Sequence, residues 1–307
     1  MKISRRDIAK AGLAMGAISV ASGCSDAPAA TAGDSETDPC ARVVIKTAGK
    51  AGRRLVYTDL GALHVRSRNA GVFGETPPVV LLHMMPFSST HFLPLIDALH
   101  ADRDVYAIDL PGFGQSDAPP QGVSVEAVAE AVKAALPSER VDLFGFHTGA
   151  SVALALAMHN PDRVKDVLIA GVPYYDSNER SRRLTDNRPL FLVSPDAVFD
   201  RWRRLDAFLG TRVSQDRKRA LCNEGVAATP TQHIMVDAVM RFDALMAQRL
   251  TRAKLAIIDE MLAPNTERLA DMTGAETLDW RDFKGDVFDT APSALAQRMI
   301  AYYDREA

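Results

Sequence analysis

The chain has 307 residues, is 47% hydrophobic and carries a formal net charge of −3, which suits one substantial buried core with a small accessory domain. No basic stripe is present that could neutralise a run of phosphates, so composition argues against a nucleic-acid partner. Internal repeats are absent, and beyond the N-terminal stretch no apolar run is long enough to cross a bilayer as a helix.

The N-terminal segment is read as a leader rather than as part of a fold. Ser4-Arg5-Arg6-Asp7-Ile8-Ala9-Lys10 is followed by a mildly apolar stretch, rich in Gly and Ala, from Ala11 to Ala21. This order resembles a twin-arginine export signal. Ala21-Ser22-Gly23-Cys24 then resembles a lipobox in which Cys24 is the lipidated residue, while Ala30-Thr31-Ala32 offers a competing cleavage site. Residues 1–24 are assigned to the signal and 25–41, polar and irregular, to a flexible linker. The implied location is the periplasm, with a lipid on Cys24 as the sole attachment to membrane. Cys40 and Cys222 could pair in that oxidising compartment, although a small buried hydrophobe is the commoner role for a residue such as Cys222.

From residue 42 strands and helices alternate. Leu55 to Thr58 and Leu63 to Ser67 suggest an opening antiparallel pair, and Pro78 to His83 is a short, nearly all-apolar run of the kind found in strands buried on both faces. Val105 to Leu110, Val141 to Phe144 and Val167 to Ala170 repeat it. Between them, Val125, Val128, Ala129, Val132 and Leu136 share one helix face, with Ser124 as N-cap and Pro137 beyond the end. The expectation is an α/β fold with a mostly parallel sheet covered by helices on both faces.

Two motifs sharpen that expectation. His83-Met84-Met85-Pro86-Phe87 and Asp109-Leu110-Pro111-Gly112-Phe113-Gly114-Gln115-Ser116-Asp117 resemble the strand-end loop and the D-x-P-G-x-G-x-S turn of the α/β-hydrolase superfamily. Val141 to Ala150 then reads as strand, sharp turn and helix, the order of the nucleophile elbow G-x-S-x-G, with Gly145 and Gly149 in place and His147 where the superfamily keeps its serine. Ser151 lies about one turn further into the helix and would face the strands. The chain is thus similar to a branch of that superfamily with a Gly-x-His-Thr-Gly elbow. The resemblance implies a core from residues 42–175 and 251–307, with a helical cap from 176–250.

Within the cap, Ser194-Pro195-Asp196 opens a helix whose inner face should carry Val198, Trp202 and Leu205; Ile234, Met235, Ala238, Phe242, Leu245 and Met246 stripe another. His233 reads as a surface or capping residue. Lys254 to Glu260 is the strand whose end delivers the superfamily's acid, so Glu260 or Asp259 is the candidate. The loop from Trp280 to Asp289 should carry the base histidine and has none, since all seven histidines lie at or before His233.

A serine mechanism cannot run on these residues. The resemblance still implies backbone N–H donors at Thr148 and Met85 for an oxyanion, with Met84 and His83 in the same loop. A neutral imidazole at a helix N-terminus can attack a carbonyl or deprotonate water, so His147 is the expected nucleophile or base, oriented by Asp259 or Glu260 and assisted by Lys284 or Asp286. The expected substrate is a small apolar carbonyl compound, ester-like or an activated ketone, with no cofactor and no metal. Two alternatives stand beside this reading. One is a periplasmic protein that binds ligand without turnover; the other is a metal-assisted enzyme using His147, His83 and an acid, which no H-x-x-x-H or H-x-H spacing supports.

Overall fold

The structure is a computed structural model that describes residues 42–45, 51–69, 76–137, 140–187, 194–245, 253–258, 261–283 and 286–305. The leader with Cys24, and Cys40, lie outside the described residues, as do Asp259, Glu260 and Lys284. Strands β1 (Arg42–Ile45), β2 (Ala51–Thr58) and β3 (Gly61–Arg68) form an antiparallel meander. A mostly parallel run follows through β4 (Val79–Leu82), β5 (Val105–Ile108), β6 (Val141–Phe146), β7 (Val164–Ala170), β8 (Ala253–Ile257) and β9 (Glu276–Asp279). Together they make one nine-stranded sheet in the order β1-β2-β3-β5-β4-β6-β7-β8-β9. Every residue of β4 and β6 is buried, as expected of parallel strands covered on both sides.

Helices α1 (Leu93–Leu99), α2 (Val125–Ala134), α3 (Thr148–His159), α8 (Ala263–Thr273), α9 (Val287–Thr290) and α10 (Pro292–Tyr303) supply that cover. One apolar cluster gathers residues of α2, α3 and α8 against one face of the sheet, and a second gathers α1, α9 and α10 against the other. The Ser124 hydroxyl accepts the Ala127 N–H at 3.2 Å, and Val125, Val128, Ala129 and Val132 are buried as their spacing requires.

Between β7 and β8 the chain builds α4 (Ser177–Asp186), α5 (Pro195–Leu209), α6 (Gln215–Ala227) and α7 (Gln232–Arg241). Ser194 caps α5 through the Ala197 N–H, with Pro195 in its first turn. The expected inner face of α5 needs correction: Leu205 and Leu209 are buried, whereas Val198 is exposed. Its spacing to Leu205 is two turns, but at that end Val198 lines an open pocket with Phe199, Trp202 and Asn223 instead of the buried face. The stripe from Ile234 to Phe242 does pack into the sheet-side cluster with α2 and α3, and Leu245 lies partly buried against it. Met246 lies outside the described residues.

Strand order reverses around β4, which has β5 on one side and β6 on the other. Ligands of open α/β sheets bind outside the carboxyl ends of the strands at such a reversal. The loop after β4 and the turn after β6 meet there.

Candidate active site

The turn after β6 is held by close packing. A Cβ on Gly149 would stand 2.0 Å from the Leu82 carbonyl oxygen, and one on Gly145 would stand 2.5 Å from the Gly149 oxygen and 2.8 Å from Ala150 Cα. Glycine at both positions lets α3 start directly against the end of β4. The residue between strand and helix, His147, takes φ +49° and ψ −111°, the one positive φ among the described non-glycine residues. Its N–H donates to the Ala170 carbonyl (3.0 Å) and its own carbonyl accepts from Ala150 N–H (2.9 Å), so strand and helix both clamp the strained unit. The side chain is buried, its ring 4.3 Å from that of Phe146.

Thr148 opens α3, where N–H groups have no partner inside the helix. Its hydroxyl accepts the Met85 N–H at 3.3 Å, longer than the usual ~2.9 Å. Both expected oxyanion donors therefore lie at one junction, and the weak bond to the threonine hydroxyl is one that a substrate oxygen could replace.

His83 departs from its expected place in binding. It is fully buried; its Nδ1 bonds the Met84 carbonyl (2.9 Å) and its Nε2 accepts the Leu110 N–H (2.9 Å). Burial pushes its pKa down to about 4 against the pull of Asp109. Both nitrogens are spent on backbone, so His83 fixes the β4 loop to the β5 loop and has no lone pair to offer a metal. The Met84 carbonyl also accepts from Phe87 N–H (3.1 Å), which closes the loop around Met85.

Asp109 anchors the same region. It accepts from His64 Nδ1 (2.8 Å), Ser89 N–H (2.7 Å) and Gln115 N–H (3.0 Å). Burial alone would raise its pKa, but the hydrogen bonds and the neighbouring histidines outweigh it and hold the carboxyl at about 2. Gly114, at φ +58°, leaves room for that carboxylate, since a Cβ there would come within 2.2 Å of Oδ2.

Asp286, expected to assist His147, has its carboxylate bonded to His91 Nε2 at 3.0 Å and accepting the Phe288 N–H at 3.3 Å. The pair is buried beneath Phe87, Phe92 and Phe288. Burial works against the Asp286 carboxylate, and His91 outweighs it, leaving the carboxyl below its ordinary range. Next to it, Arg217 of α6 bonds Asp289 (3.0 Å) and the His91 carbonyl (3.0 Å). Glu224 of the same helix accepts from Ser88 Oγ (2.9 Å) and from Thr90 Oγ1. His91, Arg217 and Glu224 were not found from sequence; each finds its partner in a distant segment, and no local spacing marks any of them.

Over the β4 loop lies a cavity of about 490 Å³. Met84, Pro86 and Phe87 form one wall, Arg201, Leu205 and Phe208 of α5 a second, and Leu221, Cys222 and Gly225 of α6 a third, with Met261 at the side. Cys222 is a buried free thiol, its pKa raised by burial with Arg201 opposing. His233, in the first turn of α7, has its Nε2 within 3.0 Å of Gln121 Nε2.

A buried parallel sheet with a strained, glycine-locked elbow and an insertion between β7 and β8 defines the α/β-hydrolase class. The sequence pattern of that fold matches residues 77–263, more than half of the chain, and the protein belongs to the α/β-hydrolase family. A pimeloyl-[acyl-carrier protein] methyl ester esterase of Aeromonas hydrophila is 35% identical over 105 residues, 34% of this chain and 41% of that protein. Another esterase of that name, from Xylella fastidiosa strain M12, is 25% identical over 224 residues, 73% of this chain and 75% of its own. The chain thus spans less than half the length of the first of these relatives. A thermophilic esterase from Thermogutta terrifontis has the same fold, with a TM-score of 0.65, 17% identity, and coverage of 85% of this chain and 97% of that one.

Proposed function

We propose that the protein is an esterase-type hydrolase of small apolar carbonyl compounds in which His147 is the reacting side chain. The observation that carries this reading is the strained elbow itself: φ +49° at a non-glycine residue, between two glycines that admit no Cβ, sets His147 directly before Thr148 at the start of α3, at the junction where Met85 N–H meets the Thr148 hydroxyl. That the relatives of this family include named esterases supports the reaction class.

In the step this geometry favours, the neutral imidazole takes a proton from a water as the water oxygen bonds the ester carbonyl carbon. The carbonyl oxygen becomes an oxyanion held by the Thr148 and Met85 N–H groups. Collapse re-forms the carbonyl and expels the alcohol oxygen, which receives the proton from the imidazolium. In the nucleophilic variant of this scheme, imidazole nitrogen bonds the carbonyl carbon first, the C–O bond to the alcohol breaks and the alcohol leaves with a proton from the ring or solvent; water then adds to the acyl-imidazole, and cleavage of the C–N bond gives the acid and restores the imidazole. Asp259 or Glu260 is the acid that would orient the ring, with Lys284 assisting. His147→Ala should abolish turnover of p-nitrophenyl esters with circular dichroism unchanged; an active His147→Ala protein would refute the reading. An acylated His147 peptide trapped after rapid quench would select the nucleophilic route.

One observation favours a second reading, a binding protein without turnover: Met85 N–H is engaged by the Thr148 hydroxyl, and the loop from Trp280 to Asp289 lacks a histidine. Under it, His147→Ala changes ligand affinity and no turnover exists to lose. Export to the periplasm is part of the proposal, supported by Arg5-Arg6 and the following apolar stretch, with Cys24 as the lipid attachment. Arg5 and Arg6 both replaced by Lys should leave the precursor in the cytoplasm, and Cys24→Ser should free the protein from membranes.

A further inference from the structure

The cavity between α5, α6 and the β4 loop is mostly apolar; its charged lining is Arg201, Arg204 and Asp200, the last paired with Arg203. Met84, Phe87, Leu205, Phe208, Leu221 and Met261 supply its carbon surface. Arg201 is half-buried among them, and Arg204 stands one turn further along α5, exposed on the same cavity. The acids nearby are committed elsewhere: Asp200 pairs with Arg203, Asp206 with Lys218, and Glu224 with Ser88 and Thr90. Among the described residues, neither Arg201 nor Arg204 has a carboxylate or carbonyl partner. The contrast within this molecule is informative. A wider groove along β8, β9 and α10 also holds cations, but there Lys254, Arg281 and Arg298 are paired with Glu276, Asp279 and Asp282.

The seat of Arg201 is shaped by the neighbouring helix. A Cβ on Gly225 of α6 would come within 2.8 Å of Nη2 and 3.0 Å of Nε but 3.3 Å from Cζ, so the guanidinium turns its Nε–Nη2 edge toward a helix position that has no side chain. Burial pushes the Arg201 pKa down, and the charge of Arg204 adds to that. A guanidinium taken out of water without a partner is costly, and a planar carboxylate that meets its fork in two parallel hydrogen bonds offsets that cost.

We infer that the cap cavity is a carboxylate-recognition pocket, in which Arg201, its Nε–Nη2 edge seated at Gly225 and reinforced at the mouth by Arg204, takes the anionic end of a substrate on its Nη1–Nη2 end, with the substrate's apolar middle against Phe87, Leu205 and Leu221. This rests on the proposed hydrolase reading for the reaction and extends it to substrate class: a carbonyl compound that also carries a free carboxylate, such as the half-ester of a dicarboxylic acid. Met84, Pro86 and Phe87 line the cavity from the loop that also carries Met85, so a substrate whose carboxylate is held at α5 would direct its ester end toward that loop.

Binding and turnover separate the two claims. Calorimetric titration of the purified protein with hexanoate and with hexanamide, which differ in charge and little in size, should show hexanoate at least tenfold tighter, about 1.4 kcal/mol. Arg201→Gln should bring the two affinities together, and Arg201→Lys should restore part of the gap, since a point charge keeps attraction but loses the fork. Gly225→Ala moves the guanidinium without removing it and should narrow the gap. Equal affinities in the parent, no saturable signal from hexanoate, or a preference that survives Arg201→Gln would overturn the inference. With esters, mono-p-nitrophenyl glutarate should exceed its methyl-capped neutral analogue in kcat/KM, mainly through KM, and Arg201→Gln should lower that ratio. Selective hexanoate binding with no hydrolysis of either ester would leave the carboxylate pocket standing and remove the hydrolase reading.

Discussion

Strain at the elbow gives a stability difference that runs against ordinary propensity. His147→Ala and His147→Gly both delete the buried ring and its contact with Phe146, so packing losses cancel between them. What remains is backbone. At φ +49° and ψ −111° an alanine keeps the strain of a sparsely populated conformation, about 1–3 kcal/mol, and glycine relieves it. Against this, glycine loses about 0.5–1 kcal/mol more in backbone entropy than alanine does. The balance favours His147→Gly by about 1 kcal/mol, or roughly 2–4 °C in Tm for a domain of this size. The comparison is made by urea unfolding at pH 7, followed by tryptophan fluorescence, with both variants sharing one m value. An alanine variant as stable as the glycine one, or more so, would show that no strain is stored at residue 147 and that the fold does not hold the elbow against its own backbone preference.

Other outcomes follow from the same geometry. Asp109 has its folded pKa depressed to about 2 from an ordinary 3.8, so it contributes stability that is present above the ordinary carboxylate range and lost as pH falls through about 2. Asp109→Asn should therefore cost about 2 kcal/mol at pH 7, with the gap to the parent shrinking between roughly pH 4 and pH 2 in denaturant titrations. A gap that does not move with pH would assign the effect to packing. Asp286→Ala leaves the buried His91 without its carboxylate and should cost about 2–4 kcal/mol, seen as a lower urea midpoint, whereas Asp286→Asn should lose less. Gly149→Ala sets a Cβ 2.0 Å from the Leu82 carbonyl oxygen and should cost more than about 3 kcal/mol; a soluble variant with the parental Tm would mean that the elbow can relax.

How far the sequence could be read depended on the range of each interaction. Buried parallel strands announce themselves as short apolar runs, so β4, β5, β6 and β7 were legible to within a few residues. The elbow was legible because G-x-H-T-G is a local motif whose glycines answer to steric contacts within a few residues or at the end of β4. β9 was not: Glu276–Asp279 is mostly exposed at a sheet edge, and its residues show no alternation to detect. His91–Asp286 and Thr90–Glu224 span 195 and 134 residues, and Arg201 is defined by a glycine on another helix. Charged side chains in the cap read as solvated faces until the opposing helix is in place. Val198 illustrates the converse, a correctly spaced apolar residue that stays exposed at the edge of an open pocket.

The short segment from Ser88 to Phe92 is gripped from two directions, by Asp109 of the core at the Ser89 N–H and by Glu224 and Arg217 of α6 at Ser88, Thr90 and the His91 carbonyl. It continues directly from the loop that carries Met85. A cap helix fastened there cannot swing away as a free lid without tugging on an oxyanion donor, so α6 and the donor loop form a single mechanical part. α5 makes no such polar link to that loop among the described residues. Inherited variation in α5 can therefore retune which molecules enter while the catalytic frame stays fixed, dividing the cap into one helix that is free to diverge and one that is not.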